Sequence, residues 1–149
     1  MMDRHDDRHV MDRAADRAPN GAVTGGVRTI LRLEGAAVFV VAILAYRQFG
    51  LGWGTFALFF LAPDLSFLGY LAGPRVGAAV YNAAHAYVGP IVLLVANEVI
   101  RGPVPTWVIG VGLIWAAHIG MDRMLGYGLK YAGGFGATHL GTIGRRRAS

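Results

Sequence analysis

Four residues combine a reactive side chain with an apolar setting: Asp64, His85, His118 and Asp122. His118 and Asp122 stand four apart within WAAHIGMDRMLGYGLKY (115–131), so a helix places them on one face. Trp115 shares that face. Two imidazoles and two carboxylates suit Zn, Mn or Fe, and an i, i+4 His/Asp pair can hold one ion. Two other uses compete: a buried polar network that fixes helix packing, and a proton or ion path, which in so small a chain needs an oligomer. No complete signature such as His-Glu-x-x-His is present, and the chain has no cysteine, which excludes thiolate sites.

These groups need a scaffold, and the composition says which kind. Of the 149 residues 54% are hydrophobic and 15% charged, against roughly 25% charged in a soluble domain. Nine of the charged residues fall within residues 1–17, which leaves the rest sparsely charged. That profile fits an integral membrane protein with a polar tail. The net charge of +5 does not indicate nucleic acid, because the basic residues flank apolar segments. Membrane lipid is the expected partner.

Four apolar segments follow, at about residues 30–46, 53–71, 76–100 and 106–121 or beyond, each near the roughly 20 residues a span needs. Short links make neighbours antiparallel. The expected fold is all-α: a four-helix transmembrane bundle (28–144) between a disordered tail (1–27) and a basic end (145–149). Pro63 should kink the second segment. Four spans put both termini on one side. That side carries Arg28, Arg32, Arg75, Arg123, Lys130, Arg145, Arg146 and Arg147, against Arg47 and Arg101 opposite. The expected location is the inner membrane with both termini cytoplasmic. Tyr46, Trp53, Trp107 and Tyr127 are expected in the interfacial aromatic belts.

At about 1.5 Å per residue, Asp64 lies roughly 16 Å from the outer end, His85 roughly 15 Å from the inner end and His118 roughly 18 Å from the outer end. All three share one mid-membrane layer, with Asn82 one turn from His85. Past Leu125 the chain holds seven glycines among aromatic and apolar residues, which opposes a further helix. An interfacial segment folding back on the helices is expected there.

The motifs LAPDLSFLGYL (61–71), YNAAH (81–85), WAAHIGMDRMLGYGLKY (115–131) and ATHLG (137–141) occur in an order that resembles the bacterial membrane family called domain of unknown function 4260. The resemblance spans about residues 30–144. It implies a small multi-pass membrane protein and transfers no activity. Its motifs fall on Asp64, Tyr81, Asn82, His85, His118, Asp122, Arg123, Lys130, Thr138 and His139.

Two functional expectations follow. One is a membrane-embedded, metal-dependent hydrolase of a lipid-type head group. Its catalytic residues would be His118, Asp122 and Asp64. Its divalent-metal ligands would be His85, His118, Asp122 and His139. Its binding residues would be Arg123 and Lys130 on phosphate, with Asn82 and Tyr81. The other is a non-catalytic scaffold or small transporter subunit, as a homo-oligomer. In the closed-site version of the first, the C-terminal segment brings His139 toward His118 and Asp122.

Overall fold

A computed structural model of the chain describes residues 21–49, 51–99, 105–133 and 135–143. Helix α1 is Gly25–Tyr46, α2 is Trp53–Phe60, and a 3₁₀ segment follows over Ala62–Ala72. Helices α3 (Pro74–His85), α4 (Val88–Val99) and α5 (Thr106–Leu125) complete the helical part. Strands β1 (Ala137–Thr138) and β2 (Gly141–Thr142) pair as a small antiparallel hairpin. Among the described residues, three helical stretches are long and apolar enough to cross a membrane: Gly25–Tyr46, Trp53–Ala72 and Thr106–Leu125. A fourth is added if the bent pair α3–α4 counts as one span.

Helix α5 is the hub. It touches α1, α2 and α4, and Ile114, Ala117, His118 and Ile119 on it are buried. Its closest partner is α1, and glycine sets the approach. A Cβ on Gly120 would stand 2.7 Å from the Phe39 amide nitrogen and 2.8 Å from the Gly35 carbonyl oxygen. A Cβ on Gly35 would run into Arg123 Cβ and the Met124 amide. In an apolar solvent helix association relies on such close packing. Of the small-residue stripe Gly112, Ala116 and Gly120, Gly120 thus meets α1 while Gly112 lies under Leu94 of α4.

The second apolar segment changes helix type where Pro63 stands. Proline has no amide hydrogen for an i−4 carbonyl. The chain answers with an i−3 bond, Asp64 N–H to the Leu61 carbonyl at 3.1 Å, and continues as 3₁₀ for 11 residues. Such runs are seldom longer than three or four. At three residues per turn, Asp64, Phe67 and Tyr70 stack in one column. That column faces α3 and the C-terminal segment: Phe67 meets Tyr81 at 5.1 Å and Phe135 at 5.5 Å, and Tyr70 meets Phe135 at 5.3 Å. Gly77 of α3 lets the Tyr70 ring lie against its backbone.

The third segment is not continuous, as its length suggested, but breaks at Ala86, where ψ swings to 140°. Pro90 explains this, because it cannot bond the Ala86 carbonyl. The helix restarts with Ile91 N–H on the Tyr87 carbonyl at 3.0 Å, and the two halves bend by 40°. His85 is the last residue before the break.

Helix α5 ends at Gly126, whose φ of 95° suits the left-handed cap, with the Tyr127 amide on the Asp122 carbonyl at 2.7 Å. The chain then folds back on the helices. Asn82 grips it from α3: its Oδ1 accepts the Lys130 amide at 2.7 Å and its Nδ2 donates to the Lys130 carbonyl at 2.9 Å. Thr138, fully buried, donates to the Gly141 carbonyl at 2.7 Å and closes the hairpin turn.

Two expectations shift. Residues 1–20 and 144–149 lie outside the described residues, so the expected tail and basic end are not addressed there. Residues 21–27, counted with the tail, are ordered. Helix α1 begins at Gly25, the Val23 amide donates to the His139 carbonyl at 2.8 Å, and the Tyr131 hydroxyl donates to the Gly21 carbonyl at 2.9 Å. Tyr46, expected at the aromatic belt, turns inward. It is 2% exposed, its hydroxyl on the Gly52 carbonyl and its ring against Trp53 and Phe56.

Candidate metal centre

The kinked second segment, the end of α3 and the middle of α5 converge on one point. His118 Nε2 lies 3.2 Å from His85 Nε2. Asp64 Oδ1 lies 3.6 Å from each of those nitrogens. Asp122 Oδ2 lies 3.5 Å from His85 Nε2 and 3.8 Å from His118 Nε2. Asp64, His85 and His118 each offer one ligand atom, all within 4.8 Å of one another. The histidines are buried, whereas the Asp64 side chain is 37% exposed and marks the open side.

The aim of each group has a local cause. His85 Nδ1 lies 2.9 Å from the Tyr81 carbonyl oxygen, which can only accept, so Nδ1 carries the proton and Nε2 is left bare. The His85 ring is also clamped flat against Tyr81. Phe60 packs edge-on to His118, with ring centroids 5.4 Å apart. The Tyr81 hydroxyl donates to Asp122 Oδ2 at 3.3 Å. His118 Nδ1 is buried with no hydrogen-bond partner among the described residues.

These separations fit a metal. Zinc bonds of 2.0 to 2.2 Å place tetrahedral ligand atoms about 3.3 to 3.6 Å apart. The His–His and Asp64–His distances fall at or close to that range, and a bare Nε2 is the form that ligates.

A cavity of about 280 Å³ opens beside the centre, lined by Asp64, Tyr81, Asp122, Lys130 and Phe135 among others. Lys130 is buried in an aromatic cage. Its Nζ lies 3.8 Å from the Phe135 ring centroid, 4.7 Å from Tyr81 and 5.4 Å from Phe67, and donates to the Phe135 carbonyl at 3.0 Å. Burial holds its pKa below the usual lysine value, and the Asp122 carboxylate opposes that shift.

Arg123 and His139 do not join this cluster. Arg123 Nη2 donates to the His85 carbonyl at 3.2 Å, and Nη1 lies 2.6 Å from His139 Nε2. His139 Nδ1 accepts the Leu129 amide at 2.8 Å. Burial, then the Arg123 charge, lowers the His139 pKa. His139 therefore meets the neighbour of Asp122, and the metal-type group among the described residues is Asp64, His85 and His118. Asp64, expected as catalytic, stands among the three residues that could hold an ion. Sequence reasoning missed the lysine cage. Phe67, three residues after Asp64, was its one visible signal, and only in 3₁₀ spacing.

The fold and site define a class: a small helical chain with three or four membrane-length apolar stretches around a buried His/Asp centre. The chain belongs to the family described as Domain of unknown function (DUF4260), whose profile matches residues 28–143. No curated protein and no solved structure matches it.

Proposed function

We propose that the protein is a four-span membrane protein, both termini cytoplasmic, that binds a divalent metal through Asp64, His85 and His118 and hydrolyses a lipid-type head group. The observation that carries this reading is the spacing of the three ligand atoms, 3.2 to 3.6 Å. Three protein ligands with a further position left open is the pattern of catalytic zinc. When bound, the metal supplies a nucleophile by lowering the pKa of its water. Asp122, whose Oδ2 accepts from the Tyr81 hydroxyl, would accept the proton in this reading. Lys130 supplies positive charge to the same cavity and favours an anionic substrate. The open side at Asp64 admits it.

Elemental analysis of the detergent-purified protein tests the metal. One equivalent is expected, lost in His118→Ala. No metal in the parent protein would leave a non-catalytic scaffold or transporter subunit, with the cluster as a packing network. A reporter fused at Ser149 tests the topology and should be active in the cytoplasm alone.

A further inference from the structure

A second cavity, of about 460 Å³, opens between α1 and the group Tyr87, Arg123 and His139. Its polar walls are Glu34, Tyr87, Arg123 and His139, and its apolar walls include Leu31 and Val38. Leu31 and Val38 stand seven apart on α1, two turns along one face.

Arg123 is poorly satisfied. Among the described residues no carboxylate forms a salt bridge with it. One Nη meets the His85 carbonyl. The other faces His139, whose accepting nitrogen already takes the Leu129 amide, leaving Nε2 as an N–H in the neutral ring. Two donors therefore meet where an acceptor is wanted. The Tyr87 hydroxyl is buried in the same region with no hydrogen-bond partner among the described residues. Both call for an oxygen that accepts, and a guanidinium is well matched to phosphate.

Glu34 stands in the wall of the same cavity and would repel a simple anion. Its presence selects a ligand that brings a cation as well. The location selects a lipid. Arg123 is two residues from the end of α5, and Arg28 and Arg32 lie near the start of α1. Leu31 and Val38 continue the wall as a surface for a chain.

We propose that this pocket binds a phospholipid whose headgroup carries an ammonium, its phosphodiester on Arg123 and the Tyr87 hydroxyl and its ammonium on Glu34. The site goes beyond the metal reading and does not depend on it.

Native mass spectrometry of the full chain, purified in detergent, tests this with ethanolamine phospholipid, glycerol phospholipid and inorganic phosphate. The ethanolamine lipid should be retained about tenfold in preference to the glycerol lipid, the size expected for one charge-assisted contact. Glu34→Gln, at an exposed position, should abolish that preference, and Tyr87→Phe should weaken retention of both lipids. Equal retention by the parent protein would mean a general lipid coat and overturn the proposal. So would a preference that survives Glu34→Gln, or displacement of the lipid by phosphate at equal concentration. Metal content, read on the same samples, should be the same in Glu34→Gln as in the parent, so a failed metal centre is told apart from a failed lipid site.

Discussion

Tyr81 lies face to face with His85, ring centroids 3.7 Å apart and planes 12° apart, while its hydroxyl donates to Asp122 Oδ2 at 3.3 Å. One side chain thus orients two members of the centre. Tyr81→Phe keeps the stack and removes the hydroxyl. Outer partners of metal ligands are worth about 10- to 100-fold in affinity, and Asp122 is not one of the three ligands, so a smaller drop is expected by competition with a chelator. A drop of about 10-fold or more would instead make Asp122 a ligand.

The α1–α5 contact should be intolerant of side chains. Gly120→Val forces methyl groups into the Phe39 and Gly35 backbones, and overpacking costs about 1 to 3 kcal/mol. A lower melting temperature in detergent is expected. Gly54→Ala is the control: a Cβ there meets nothing within 4 Å, and alanine favours helix. If both variants melt alike, the close approach is not what holds these helices.

Stability should respond to pH at two points. His139 has a folded pKa below 6.5, set by burial and then by Arg123. The unfolded chain then binds the extra proton first, so stability is complete above pH 6.5 and falls as pH drops toward the depressed value. Lys130 is also depressed, from 10.5, so its contribution rises as pH climbs to 10.5 and is incomplete at neutrality. Thermal melts across pH should flatten at the acid side in His139→Gln and at the alkaline side in Lys130→Met. Parallel curves for variants and parent would rule out either linkage.

Asn82 ties the C-terminal segment to α3 by two hydrogen bonds to Lys130. Asn82→Leu leaves that amide and carbonyl unpaired, a local cost of about 1 to 3 kcal/mol. Hydrogen exchange at Lys130 and Thr138 should accelerate while exchange in the middle of α5 stays slow. Uniform acceleration would show that the segment is part of the global fold.

Much of the centre was legible from height alone. Counting 1.5 Å per residue put Asp64, His85 and His118 in one layer, and their ligand atoms lie within 4.8 Å. Height carries no azimuth, so the count could not say which way Arg123 turns. The i, i+4 pair His118 and Asp122 was readable because helical spacing fixes it. The break at Ala86 was not drawn from Pro90, although the proline rule contains it. The 3₁₀ column of Asp64, Phe67 and Tyr70 is not legible in the sequence, because an apolar run of this length reads as α spacing. His139 was expected at the metal and lies on Arg123, since a glycine-rich segment gives no periodicity to aim a side chain.

The pairing of α1 with α5 has a consequence for synthesis. The ribosome delivers Asp64 and His85 before His118 and Asp122, and the helix that completes the centre follows the other helices among the described residues. Until then the Asp64 carboxylate and the His85 imidazole stand without their partners, in a chain whose first helix still lacks its neighbour. A product stalled before α5 therefore leaves Asp64 and His85 without the imidazole and carboxylate that face them in the folded chain. The same glycines that let α1 and α5 touch are thus the latch through which the helix bearing His118 and Asp122 meets the first helix of the bundle.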